Sequence, residues 1–170
     1  MGIFDKKYIP MLGFATYTIN ITPKKVDPQG RIRTPEEIKN GTFKFVHTVY
    51  MDTSANIYII PMKQDEDGEW VDCFSPHHII EAANGDVVAK KVIEDCRSEL
   101  INLYKKDLLS DSFLQRLYEQ EKDDILKVIN RNREEEGQYT INYPLPSSPK
   151  TVNNFTSAEL IDLLITARSC

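Results

Sequence analysis

Apolar positions change period near the middle of the chain. In "GFATYTINIT" (13–22) and "TFKFVHTVYM" (42–51), aromatic and β-branched residues roughly alternate with polar ones, as in strands with one buried face. "NIYIIPMK" (56–63) and "EWVDCF" (69–74) flank the acidic turn "QDEDG" and read as the arms of a hairpin. Pro61 lacks a backbone donor, so its arm is expected at a sheet edge, or to end there. Between the first two strands, Thr34 can cap, Pro35 suits the first helical position and Glu37 completes a capping box, predicting a short helix over 35–39.

After Val87 the apolar residues recur at threes and fours. Ala89, Val92, Ile93, Cys96, Leu100, Leu103 and Tyr104 predict one long helix. Leu114, Leu117, Tyr118, Ile125, Val128 and Ile129 predict a second, capped by Ser110 or Asp111. Glu121 falls in the middle of this second stripe. A buried carboxylate is costly unless paired, so Glu121 either meets an Arg or Lys or marks where the helix leaves the core, and the second option is favoured. "QYTINY" (138–143) reads as a late strand for the N-terminal sheet, and "YPLPSSPKTVNN" as extended chain. Thr156 and Glu159 form a capping box for a last helix whose Leu160, Ile161, Leu163, Leu164 and Ile165 cover more than one face.

These elements predict an α+β fold: a mostly antiparallel sheet from the N-terminal half packed against two long helices, plus a C-terminal helix after an extended Pro-rich segment. Strand and helix alternate too weakly for a doubly wound fold. A length of 170 residues suits one α+β domain over 1–133, an extended charged and Pro-rich segment over 134–155, and a helix over 156–170 that completes its own core or docks on a partner.

Composition narrows the class further. No apolar run approaches the eighteen or so residues of a membrane span, and "MGIFDKKYIPM" has no hydrophobic leader, so the expected location is intracellular (cytoplasmic) or within a virion. Cys73, Cys96 and Cys170 are odd in number and widely spaced, which argues against a disulfide framework or a CxxC site. Charge is uneven: residues 1–50 hold eight Lys and Arg against four Asp and Glu, whereas residues 51–170 hold thirteen against twenty-two. Such asymmetry can bring unlike surfaces of neighbouring subunits together.

Two stretches carry candidate chemistry. "VDCFSPHHII" (71–80) gathers an aspartate, a cysteine and two of the three histidines. Ser75 before Pro76 is a helix start with Gly85 as the stop, and neighbours on a helix point about 100° apart, so His77 and His78 cannot readily share a metal. Asp72 and Cys73 point to opposite sheet faces. No Walker loop, dinucleotide glycine pattern, nucleophile elbow, HExxH or EF-hand loop occurs. No catalytic residue, metal or cofactor is therefore assigned. A hydrolase-like use of His77 or His78 with Asp72 or His47 is the third-ranked alternative.

In "PKKVDPQGRIRTP" (23–35), Asp27, Pro28 and Gly30 occupy the favoured places of a type I turn, so the flanks pair as a ribbon carrying Lys24, Lys25, Arg31 and Arg33. A basic ribbon can track phosphates or dock on an acidic protein face. No aromatic residue is interleaved to stack a base, so nucleic acid is not the favoured partner. The predicted protein-binding residues are Lys24, Lys25, Arg31 and Arg33 of the ribbon and Leu160, Ile161, Leu164 and Ile165 of the tail. The expected function is a non-catalytic interaction or assembly subunit of a larger complex, of which a viral-particle connector is one kind, with other subunits or copies of itself as partners. The alternative is a soluble inhibitor or immunity-type protein that covers a basic target with its acidic surface.

Overall fold

A computed structural model describes residues 9–152 and 162–169. Strand β1 (Met11–Pro23) pairs antiparallel with β2 (Phe43–Asp52), from Gly13 opposite Met51 to Ile21 opposite Phe43. On the far side of β2 lie β3 (Ile57–Gln64) and the short β4 (Trp70–Asp72), while β5 (Leu163–Ser169) pairs with the other edge of β1. The result is a five-stranded antiparallel sheet, order β4-β3-β2-β1-β5. Among the described residues four helices complete the α+β fold: α1 (Pro35–Asn40), α2 (Pro76–Ala83), α3 (Val87–Tyr104) and α4 (Asp111–Glu135).

Alternation places Ala15, Tyr17, Ile19 and Ile21 of β1 and Phe45, Val49 and Met51 of β2 on one buried face. Helix α4 covers this face with the stripe Phe113, Leu117, Ile125 and Ile129. Phe113 meets Phe45 edge to face at 5.6 Å, and a Cβ added at Gly13 would lie 2.7 Å from Ile129 Cγ2, so the helix runs back along β1 in close contact. On the opposite face, Asp72 of β4 accepts hydrogen bonds from Thr48 and Tyr50 of β2. Strands lie about 4.8 Å apart and β3 intervenes, so β4 curls over that face to reach them.

The connection between β2 and β3 is built on Asp52. Its carboxylate accepts from the Ser54 and Asn56 N–H groups, each at 2.9 Å, and from the Tyr58 hydroxyl at 2.6 Å. Burial alone would raise this carboxyl, but the hydrogen bonds from Tyr58, Asn56 and Ser54 outweigh it and hold the group below its ordinary range.

Four expectations are corrected. Residues 163–169 form β5, not a helix, because "LLI" reads equally well with a period of two: Leu163 and Ile165 are buried against the sheet while Leu164 is half exposed. The start proposed for that helix, including Leu160 and Ile161, lies outside the described residues. "QYTINY" forms no strand, since Ile141 gives its N–H to Asn130 Oδ1 at 2.6 Å and takes the Asn130 amide on its carbonyl at 2.9 Å. From there the chain runs extended along α4, with Tyr118 donating to the Pro146 carbonyl and Gln115 to that of Ser147. Pro61 lies inside β3, flanked by β2 and β4; its carbonyl accepts from Cys73 N at 2.9 Å, and its missing donor faces the point where β4 ends.

The fourth correction is Glu121, which neither leaves the core nor meets an Arg or Lys. It is 1 % exposed and faces the fully buried His47, whose Nε2 lies 2.9 and 2.8 Å from the two carboxylate oxygens. Removing one partner strands a buried polar group, so Glu121→Ala is expected to cost about 3–5 kcal/mol in chemical denaturation, with an apolar His47→Leu, Glu121→Leu pair recovering most of it. Gly13→Ala should cost about 1–3 kcal/mol by forcing Ile129 away, and Ile129→Val should partly relieve it in the same assay.

Candidate functional site

Two hairpin tips at one end of the sheet share a backbone and differ in charge. In the first, after β1, the Asp27 N–H donates to Arg31 O and the Gly30 N–H to Asp27 O, both at 2.9 Å, while Asp27 Oδ1 accepts from the N–H groups of Gln29 and Arg31. In the second, between β3 and β4, Asp65 N donates to Glu69 O at 2.8 Å, Gly68 N donates to Asp65 O at 3.0 Å, and Asp65 Oδ1 accepts from Asp67 and Glu69. The turn needs a left-handed residue in the glycine place, and Gly30 and Gly68 supply it with φ of 85° and 82°. The shared pattern Asp-x-x-Gly, at 27–30 and 65–68, was readable in the sequence and is the signal that would have linked the two tips.

The first tip is the predicted ribbon, closed by a bridge between Val26 and Ile32. Lys24 and Lys25 are exposed and have no ion-pair partner among the described residues. The two arginines are already engaged. Arg31 donates a fork to Glu37 of α1 at 3.1 and 2.8 Å, and its Nε lies 3.2 Å from Asp27. Arg33 bonds to Asp162 and to the Lys24 carbonyl. Half of the expected cationic ribbon is thus neutralised within the chain, and Asp27, Glu36, Glu37 and Asp162 share its surroundings, which weakens the case for phosphate binding. Apolar area is exposed instead: Val26 at 48 % and Ile32 at 66 %.

The second tip carries Asp65, Glu66, Asp67 and Glu69, all exposed, followed by the exposed Trp70 and Val71. An open hollow of about 530 Å³ beside it is lined by Lys63, Gln64, Asp65, Glu66, Asp67 and Glu99. The tips stand on opposite sides of β2, one beyond β1 and the other beyond β3.

The ribbon and the tail meet: Pro23 pairs with Leu163, and Arg33 bridges to Asp162. Of the tail residues, Leu164 is half exposed whereas Ile165 is buried in the chain's own sheet. The outer edge of β5 is partly covered, since Arg116 donates to the Leu163 carbonyl and Gln120 to that of Thr166 at 3.0 Å.

The histidines are placed by structural contacts. The Ser75 N–H donates to His78 Nδ1 at 2.8 Å at the start of α2, His77 Nε2 donates to the Ile9 carbonyl at 3.0 Å, and His47 faces Glu121. A second hollow, of about 290 Å³, is lined by Leu12, Gly13, Phe14, Ile129, Arg133 and neighbours, so neither hollow presents a histidine or a cysteine. Among the described residues no group of three His, Cys, Asp or Glu is placed to hold a metal ion, and no helix is long and apolar enough to cross a membrane.

The fold and the paired tips define an α+β protein with two oppositely charged surface hairpins. No protein-family model matches the chain, and no curated protein or solved structure is significantly similar to it.

Within the first tip, the Arg31 fork and then the Thr34 N–H draw the Glu37 carboxyl down to about 2. The folded value lies below the ordinary one, so the clamp between ribbon and α1 is fully present above the ordinary carboxylate range and is lost as pH falls through about 2. A carbon-detected NMR titration should find the Glu37 midpoint near that value, and Arg31→Ala should return it towards 4.5.

Proposed function

We propose that this chain is a non-catalytic assembly subunit that joins copies of itself, or closely similar subunits, head to tail. The observation that carries the reading is the pair of hairpin tips: one exposes Val26 and Ile32 beside Lys24 and Lys25, the other exposes Trp70 and Val71 beside Asp65, Glu66, Asp67 and Glu69. The first tip sets Val26 and Ile32 beside a basic rim, and the second sets Trp70 on one face and Val71 on the other beside an acidic rim, apolar contact with charge of opposite sign being the usual anatomy of a specific protein contact. The tips are different surfaces of one chain, so their contact is heterologous and builds a ring or a filament instead of a closed dimer. A connector-type subunit of a viral particle is one setting for such a ring. An inhibitor that covers a basic target with the acidic tip alone is the second reading, favoured by the open acidic hollow beside Glu66 and Asp67.

Light scattering of the full chain separates them. On the first reading the chain forms an oligomer that weakens with salt. Lys24→Glu with Lys25→Glu, or Glu66→Lys with Asp67→Lys, should each weaken association by roughly tenfold or more, and an equimolar mixture of the two variants should associate again, because every pairing of a first tip from one variant with a second tip from the other is of opposite sign. A chain that stays monomeric at low salt overturns self-assembly. Binding to a basic protein that depends on Glu66 and Asp67 and ignores Lys24 and Lys25 would then favour the inhibitor.

A further inference from the structure

We propose that Cys73 and Cys96 form a peroxide-responsive thiol pair that closes into a disulfide between the end of β4 and helix α3. This inference is independent of the assembly reading and uses a different part of the molecule. Two tie points set the geometry. Lys63 of β3 pairs with Val71 of β4, and Cys73, two residues on, lies on the same sheet face with its N–H bonded to the Pro61 carbonyl at 2.9 Å. Above that face, Lys63 Nζ reaches the Glu99 carboxylate at 3.1 Å, and Cys96 stands about one helical turn before Glu99 on α3. This contact places α3 beside the β3–β4 edge, the Cys73 and Cys96 side chains are near enough to shift each other's titration, and both thiols are free in this structure.

The two sulfurs are not equivalent. Cys96 is 3 % exposed, whereas Cys73 is only partly buried and is the one open to a small oxidant. The neighbouring Cys96 side chain and then the Lys63 ammonium hold the Cys73 thiol below its ordinary range, while the same neighbour, with burial, pushes Cys96 up. Cys73 is thus the attacking thiol and Cys96 the resolving one.

The chemistry balances with hydrogen peroxide as oxidant. The Cys73 thiolate attacks one peroxide oxygen, the O–O bond breaks, and Cys73 becomes a sulfenic acid while hydroxide leaves and takes up a proton as water. Cys96 sulfur then attacks the Cys73 sulfur, the S–O bond breaks, and the Cys96 proton leaves with the hydroxyl as a second water. Two thiols lose two electrons in total and one peroxide gains them.

The test treats the reduced full-length chain with hydrogen peroxide, blocks remaining thiols with an alkylating agent and maps the peptides by mass. The expected result is a Cys73–Cys96 linkage within one chain, lighter by two hydrogens, formed before Cys170 is modified. In Cys96→Ser the reaction should stop at the sulfenic acid, which dimedone labels at Cys73; Cys96→Ala repeats this test if the buried hydroxyl disturbs folding. In Cys73→Ser no linkage should form, and Cys96 should react at least tenfold more slowly than Cys73 does in the unsubstituted chain. Recovery of Cys73 and Cys96 as alkylated thiols after Cys170 has oxidised overturns the proposal, as does Cys96 reacting as fast without Cys73.

Discussion

The buried contact between His47 and Glu121 is the constraint on which the packing of this fold depends. Most of the interface between β1, β2 and α4 is a stripe of Leu, Ile and Phe facing Ile, Val and Phe, and such a surface tolerates displacement along the helix axis. A carboxylate 2.8 Å from an imidazole does not, because a shift of one turn would leave both groups buried without partners. The neighbouring bond from the Tyr17 hydroxyl to Asp124 at 2.9 Å repeats the constraint at the rim of the same interface. The arrangement has a cost, since His47 Nδ1 has no hydrogen-bond partner among the described residues. What it supplies is a single register of helix on sheet, and through it the position of the extended chain bound along α4 and of the edge strand beyond.

Local chemistry made much of this fold readable from sequence. The Thr34, Pro35 and Glu37 cap, the Ser75 and Pro76 helix start, the Asp27 turn and the two long amphipathic helices are written in residues that act on near neighbours. The misreadings fall where a distant partner decides. Glu121 looks like an exit from the core until a histidine 74 positions away is brought to it. "QYTINY" has the composition of a strand, but the Asn130 side chain takes the hydrogen bonds that a neighbouring strand would have taken. "LLI" near the end of the chain fits periods of 3.6 and of 2 equally well, and the open edge of β1 selects the second. The candidate surface was half legible for the same reason: the ribbon's charges were visible, but their partners Glu37 and Asp162 lie on other elements.

The same kind of partner explains where the histidines sit. A general base must have its reactive nitrogen within reach of a substrate. His78 spends Nδ1 on the Ser75 N–H, His77 spends Nε2 on the Ile9 carbonyl, and His47 is sealed between sheet and helix. The Asp72 carboxylate, the nearest acidic candidate in sequence, is occupied by Thr48 and Tyr50, and the Tyr50 hydroxyl is raised above its ordinary range by burial and then by that contact. These groups hold the sheet's curl and the start of α2. The two turns expose apolar side chains beside charges, and further exposed apolar residues lie on α3, among them Val87, Val88 and Leu103.

How the sheet's edges are finished decides which of those exposed features can join subunits. An open edge strand recruits other chains through backbone hydrogen bonds, without much regard to sequence. Here one edge is the three-residue β4, which curls away over the sheet, and the other is β5, whose Leu163 and Thr166 carbonyls are taken by Arg116 and Gln120 of α4. Strand-to-strand extension is blunted on both sides. On the assembly reading proposed above, association falls to side chains at the two Asp-x-x-Gly tips, where the turn geometry is the same and charge and apolar shape differ. Contacts made this way are selective for sign, sensitive to salt and directional along the sheet, which are the properties a subunit needs if it is to add neighbours in one sense only.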